Sequence, residues 1–169
     1  RGACLSIRLF PKEPVCPRYL IEKGSLSPEM MEYLETAVLC RANILVSGGT
    51  DSGKTTLLNV LADFIPQQDR LITVEDTREL KIRLKNHVAL ESPQRRRQAP
   101  DAQGLDMAFL IRTCLRLNPT RILIREIRDA AAAKALLHAI NTGHSRTMTS
   151  PHAHIPEDDF RRGRAEVLR

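Results

Sequence analysis

The chain has 169 residues, of which 26 are Lys or Arg and 20 are Asp or Glu, so its formal net charge is +6. This length predicts one domain with a substantial core, and the charge favours acidic partners: nucleotides, nucleic acid or anionic lipid. No apolar run reaches the roughly 18 residues of a membrane span, and no signal-peptide pattern opens the chain. We therefore expect a cytoplasmic protein.

The cysteines also indicate the cellular compartment. They are irregularly spaced, contain no C-x-x-C pair, and are Cys4, Cys16, Cys40 and Cys114. This pattern predicts free thiols in a reducing cytosol and disfavours a disulfide framework.

The N-terminal region predicts a domain boundary. Residues 4–10 (CLSIRLF) alternate as a strand does, and we assign residues 1–10 to the end of a preceding domain. Residues 11–24 contain three prolines and predict a linker that cannot hold regular structure for long. A second domain then spans residues 25–169. Because residues 157–169 read as the start of a charged helix, we expect this domain to be truncated at its C-terminus.

Strand and helix patterns alternate through this second domain. The predicted helices cover 27–42, 54–65, 105–118 and 129–143. The predicted strands cover 43–48, 70–76, 87–90, 121–127 and 146–150, and residues 92–104 predict an exposed loop. The alternation predicts an α/β fold with a mostly parallel sheet flanked by helices, and a ligand site at the carboxyl ends of the strands.

The motif G-x-x-x-x-G-K-[ST] occurs between the first strand and helix of this domain, where a phosphate-binding loop belongs. Its candidate ligand-binding residues are Gly48, Gly49, Thr50, Asp51, Ser52, Gly53, Lys54, Thr55 and Thr56. Lys54 would reach the β and γ phosphates of ATP, and the Thr55 hydroxyl would ligate Mg²⁺. The alternative is a glycine-rich turn before an ordinary helix.

Asp51 is an unusual residue for such a loop. A carboxylate about 6 Å from phosphate charge opposes binding by roughly 2 to 3 kcal/mol. Aspartate tolerates positive φ, so the loop need not collapse. We hypothesise that Arg125, at the end of a nearby strand, pairs with Asp51 and offsets its charge.

Acidic residues end two of the predicted strands. Glu126 follows the apolar run 122–124, and Glu75 and Asp76 follow another apolar strand. These are positions where such a fold presents carboxylates to metal or water, although acids at strand ends also occur simply for solubility. We predict that the carboxylates of Glu126 and Glu75 are catalytic.

Histidines cluster near the end of the chain. His144 and His152 flank the last predicted strand, and either could reach a γ-phosphate or a neighbouring subunit, although a solvated turn histidine is the common case. The set His152, His154, Asp158 and Asp159 is a weak candidate for a metal site because its spacing lacks support.

Together these segments resemble a known family. The ordered motifs GGTxSGKTT, ITVED, ILIREIRDA and NTGH…PHA resemble those of the type II/type IV secretion ATPase superfamily. Their amino-acid sequence is most similar to that of its tight-adherence pilus branch. The resemblance runs from about Cys4 to Arg161. It implies a RecA-like P-loop NTPase core that binds ATP and Mg²⁺ and assembles as a homo-hexamer.

The resemblance also implies roles for individual residues. Thr55 and Glu126 would hold Mg²⁺, Glu126 and Glu75 would polarise water, and His152 would sense the γ-phosphate. Cations from a neighbouring subunit would complete the site, with candidates Arg8 and Arg95 to Arg97; a solvated basic loop is the alternative. The partner would be an inner-membrane pilus or secretion platform protein, which places the motor at the cytoplasmic face of that membrane.

The sequence departs from the family pattern at Asp51, Arg125, Arg146, Pro151 and His154. The implied function is an ATP-hydrolysing motor domain for pilus assembly or protein secretion. One alternative is a degenerate or truncated copy that binds nucleotide without hydrolysis. Another is a conjugation-type ATPase linked to DNA transfer. We expect no direct nucleic-acid binding, since aromatic residues make up only 4% of the chain and no stacking pattern accompanies the arginines.

Overall fold

The computed structural model describes residues 2–5, 15–49, 51–92, 105–141 and 146–151, and for Pro151 it describes the backbone alone. The predicted loop 92–104 and the charged C-terminal segment 157–169 lie almost wholly outside these residues. So does most of the predicted strand 4–10, and residues 2–5 have no regular secondary structure.

A parallel sheet forms the centre of the described fold. Its strands are β1 (Ile44–Leu45), β2 (Leu71–Glu75), β3 (His87–Glu91), β4 (Arg121–Ile127) and β5 (Thr147–Pro151). Their order across the sheet is β1-β5-β4-β2-β3, and every pairing is parallel. The predicted α/β fold with a parallel sheet is therefore confirmed, and all five strands fall where the sequence predicts them.

The helices connect these strands. They are α1 (Pro17–Glu22), α2 (Pro28–Leu39), α3 (Lys54–Asp63), α4 (Met107–Leu115) and α5 (Ala130–Asn141). Capping explains why several begin where they do. The Ser27 hydroxyl accepts from the backbone N–H of Met30, and the Asp129 carboxylate accepts from that of Ala132 at 2.7 Å. No helix in the described ranges is long and apolar enough to cross a bilayer.

Helix α1 lies inside the segment predicted as a linker. The prolines of this segment do not prevent it, because Pro17 occupies the first turn of the helix, where its missing N–H costs no hydrogen bond. Leu20 is buried and packs with Met31 of α2 and Val60 of α3. The expectation that residues 11–24 hold no lasting regular structure is thus wrong for 17–22.

The core occupies both faces of the sheet. Alternate residues of the central strands point to opposite sides, as the period of a strand requires. Ile72 and Ile124 pack with α4 and α5 on one side, while Leu71 and Leu123 pack with α2 and α3 on the other. Burial on both faces explains why β2 and β4 read as continuous apolar runs.

A buried ion pair fixes the amino-terminal end of the central strands. The Nε of Arg121, the first residue of β4, lies 2.8 Å from a carboxylate oxygen of Asp69, and both side chains are buried. Arg121 also donates to the backbone carbonyl of Val38, at the end of α2. The pair therefore links the sheet to α2 at the end opposite the predicted ligand site.

Candidate nucleotide-binding site

The phosphate loop (residues 48–56) leaves the carboxyl end of β1 and leads into α3. Backbone pairing continues one residue past β1, because the N–H of Val46 donates to the carbonyl of Thr149 at 2.8 Å. Gly53 has φ +87° and is the N-cap of α3, a conformation that glycine adopts without strain. The first turn of α3 consequently begins at Lys54 and directs its N–H groups towards the loop. Thr50 lies outside the described residues.

Lys54 folds back over the loop. Its Nζ donates to the carbonyl of Gly48 at 2.7 Å and to that of Gly49 at 2.5 Å. Gly48 is itself tightly packed, since a Cβ at this position would lie 2.5 Å from the Ser52 hydroxyl oxygen. The Lys54 ammonium and the backbone carbonyls of Gly48 and Gly49 are thus in direct contact within the phosphate loop.

Asp51 has a backbone conformation that suits glycine. Its φ is +60°, and its side chain is exposed. Aspartate is one of the few residues that enter this region at modest cost. Asp51 therefore fits the course of the loop and adds a negative charge to it.

The proposed pair between Asp51 and Arg125 is wrong. The Nη2 of Arg125 lies 2.7 Å from a carboxylate oxygen of Glu79, and Nη1 lies 3.6 Å from Asp76. Arg125 is buried, and a buried guanidinium requires close partners that are themselves shielded from water. Glu79 meets that requirement, whereas the exposed Asp51 does not.

Arg125 also reaches the first turn of α3. Its Nε donates to the Thr55 hydroxyl oxygen at 3.3 Å, and Nη1 donates to the Thr77 carbonyl at 3.0 Å. We call this group of Arg125, Thr55, Asp76, Thr77 and Glu79 the Arg125 cluster. It joins β4, the turn after β2 and the phosphate loop through one side chain.

Glu75 ends β2, as predicted, but its carboxylate is buried beneath the following turn. One oxygen accepts the backbone N–H groups of Glu79 at 2.9 Å and of Leu80 at 3.0 Å. Burial raises the pKa of Glu75, while these two hydrogen bonds and the nearby Arg125 oppose the rise. The side chain therefore organises the turn that carries the acids of the Arg125 cluster.

Glu126 sits at an irregularity in β4. Its φ is +63°, and the pairing with β5 shifts between Arg125 and Ile127. The backbone N–H of Glu126 donates to the Ser150 hydroxyl at 3.4 Å, and its carboxylate accepts from Arg128 at 2.7 Å. Arg128 also lies 3.0 Å from Asp76, so Asp76 stands between two arginines.

The residues predicted to hold Mg²⁺ do not fit that ion in this arrangement. The Thr55 hydroxyl faces the Arg125 guanidinium, and the Glu126 carboxylate pairs with Arg128. A guanidinium stands where the sequence predicts the ion.

Some of the predicted site cannot be placed. His144, His152 and His154, together with Arg8 and Arg95 to Arg97, lie outside the described residues. The sequence also missed a participant, because Glu79 carried no motif of its own. No direct signal marks it: Glu79 lies four residues after Glu75, in the turn that follows β2.

The parallel sheet, with a G-x-x-x-x-G-K-T loop between its first strand and α3, defines a P-loop nucleotide-binding fold. The family model described as "Type II/IV secretion system protein" matches residues 1–162, and the chain belongs to this family. The resemblance to secretion ATPases is thereby confirmed. The closeness to the tight-adherence branch stays a prediction.

Individual relatives agree with the family. The chain is 39% identical over 128 residues to the type IV secretion system protein VirB11 of Bartonella quintana, covering 74% of this chain and 34% of the relative. The solved VirB11 ATPase of Brucella suis is 39% identical, with a TM-score of 0.65 over 88% of this chain and 40% of that one. The pilus retraction motor PilT is 27% identical, with a TM-score of 0.64 over 86% and 39%. The chain thus spans less than half the length of each.

Proposed function

We propose that this chain is the ATP-binding motor domain of a secretion or pilus-assembly ATPase. The observation that carries the proposal is the phosphate loop at the carboxyl end of β1, with Lys54 held over the Gly48 and Gly49 carbonyls. The names of the similar structures support it. The Brucella suis protein is described as an ATPase in complex with sulphate, and PilT as a motor with bound ADP.

The geometry of the loop supports nucleotide binding. The first backbone N–H groups of α3, at its amino-terminal end, supply partial positive charge for the phosphates. Lys54 supplies a full charge, and its present partners are neutral carbonyls that an anion can replace at little cost. Asp51 opposes the same anion and sets a limit on affinity.

Turnover and assembly are the further parts of the proposal. Glu126 and Glu75 would polarise water, and His152 would report the γ-phosphate. Hydrolysis would move domains within a homo-hexamer, which would act on an inner-membrane platform protein from the cytoplasmic side. Arg8 and Arg95 to Arg97 are the proposed cations across the subunit interface.

Nucleotide binding without turnover is the second candidate, and specific contacts favour it. Glu126 is paired with Arg128, and Glu75 is buried as an acceptor for two backbone N–H groups. The second candidate therefore assigns both carboxylates structural roles. A domain of this kind would respond to nucleotide without consuming it.

Equilibrium binding and steady-state hydrolysis of ATP test these functions on the same preparation. Lys54→Ala should weaken ATP binding by about tenfold or more, since it removes the full charge that faces the phosphates. Lys85→Ala is the matched control because Lys85 is exposed and lies just before β3, at the amino-terminal edge of the sheet and so opposite the loop. Equal binding by Lys54→Ala and wild type would refute the proposal. Binding by wild type with no hydrolysis at saturating MgATP would select the second candidate.

A further inference from the structure

The position of Arg125 has a consequence for metal use. Its guanidinium touches the Thr55 hydroxyl, which is the group that ligates the ion in a phosphate loop of this pattern. The side chain is buried and is held by Glu79 at 2.7 Å and by the Thr77 carbonyl at 3.0 Å. A buried guanidinium held by three partners in this way does not readily leave its position for solvent.

A divalent cation at Thr55 would meet this charge directly. Magnesium binds oxygen at about 2.0 to 2.1 Å and would therefore lie within a few ångströms of the guanidinium. The acids that could supply further oxygens, Asp76 and Glu79, already pair with Arg125. Both repulsion and the loss of ligands disfavour the ion here.

We propose that Arg125 takes the place of the divalent cation in this phosphate loop, so that nucleoside di- and triphosphates bind without Mg²⁺. The inference rests on the proposed nucleotide binding. A guanidinium presents several N–H donors in one plane and suits phosphate oxygens in geometry and charge. Because the Thr77 carbonyl and Glu79 hold Nη1 and Nη2, the guanidinium contacts the phosphate loop through Nε and would act on the phosphates through its charge.

Affinity for a fluorescent ATP analogue, measured in EDTA and in excess Mg²⁺, tests the inference. The wild-type dissociation constant should change by less than about threefold between the two conditions. Arg125→Gly should restore the usual requirement, with binding at least about tenfold weaker in EDTA than in Mg²⁺.

Arg125→Gly leaves the Glu79 carboxylate buried without its partner, so it is compared with Arg125→Gly/Glu79→Gln, which removes that charge as well. The double variant should show the same dependence on Mg²⁺. Circular dichroism and thermal melts confirm that each variant is folded.

The outcomes separate the inference from the function it rests on. Wild-type binding that is lost in EDTA and restored by Mg²⁺ would overturn the inference and leave nucleotide binding intact. Absence of binding in both conditions, with Lys54→Ala indistinguishable from wild type, would overturn both. Mg²⁺-independent binding by wild type and by both variants would show that Arg125 is not the substitute.

Discussion

The Nε of Arg125 lies 3.3 Å from the hydroxyl oxygen of Thr55, although the two residues are 70 positions apart in the chain. The contact joins the end of β4 to the first turn of α3. A glycine at position 125 would have no side chain to make it. Arg125 therefore brings a buried positive charge to the phosphate loop.

The charge of Asp51 gives a first prediction. Asp51→Asn removes the carboxylate and retains a side chain that tolerates the φ of +60°. We expect nucleotide binding to tighten by about fivefold or more, because the repulsion of phosphate is lost. Asp51→Gly should tighten it by at least as much, since glycine also relieves the backbone strain. Titration with the fluorescent nucleotide measures both, and unchanged affinity in Asp51→Asn would show that the carboxylate does not face the ligand.

Glu75 gives a prediction for stability against pH. Burial raises its pKa above the ordinary value of 4.5, so the folded protein binds the proton more tightly than the unfolded chain. The contribution of Glu75 to stability is therefore present in acid and decreases as pH rises from about 4.5 through the folded-state pKa. In Glu75→Gln this pH-dependent loss should disappear. Urea unfolding of both proteins between about pH 4 and about pH 8 measures the difference in how their stability depends on pH.

A companion variant separates charge from hydrogen bonding at the same position. Glutamine keeps one oxygen that can accept the N–H groups of Glu79 and Leu80, whereas Glu75→Ala keeps none. We expect Glu75→Ala to lower the free energy of unfolding by about 2 to 4 kcal/mol, for two unsatisfied donors. Similar stability of the alanine and glutamine variants at neutral pH would contradict the capping role.

We predict that Asp69 contributes more to the free energy of unfolding than any exposed acid does. Asp69→Ala leaves Arg121 charged, buried and without its carboxylate, and should lower the free energy of unfolding by about 3 to 5 kcal/mol. The control is Asp63→Ala, whose pair with the exposed Arg83 is longer, at 3.8 Å. That change should cost less than about 1 kcal/mol. Equal losses in the two variants, measured by urea unfolding, would count against the buried pair as an anchor.

The cysteines predict a pattern of thiol reactivity. Cys114 is buried within α4, and burial raises the pKa of its thiol to about 12. The other three, Cys4, Cys16 and Cys40, are exposed free thiols. A disulfide reagent at neutral pH should therefore modify three thiols in the folded protein and the fourth only after denaturation. Rapid reaction of all four, or of Cys114 alone in a Cys4, Cys16 and Cys40 triple serine variant, would refute this.

Much of the fold was predictable because its signals are local. Ser27 before Pro28 and Asp129 before an alanine run cap helices within three residues of themselves. The apolar runs of β2 and β4 reflect burial on both faces of a sheet. Helix α1 escaped prediction because its stability comes from Leu20 packing on distant residues and not from its own sequence.

The site was less predictable because its contacts cross the sheet. The sequence shows that Glu75 and Glu126 end strands, but not where their side chains turn. Glu75 points to N–H groups four and five positions ahead, and Glu126 is displaced by an irregularity in its strand. The partners of Arg125 depend on β2 lying beside β4, an adjacency that no local pattern encodes.

The sheet order also constrains how the protein can be made. Within the described residues, β1 pairs with β5 alone, through Ile44 with Met148 and Leu45 with Thr149. A ribosome releases the phosphate loop long before it releases residues 147–151, so the strand that supports the loop must wait for its neighbour. The entropic cost of closing so long a loop is therefore met only after β5 has emerged. A nascent chain can accordingly pair β2, β3 and β4 first, and β1, which carries the phosphate loop, joins the sheet only when β5 inserts between β1 and β4.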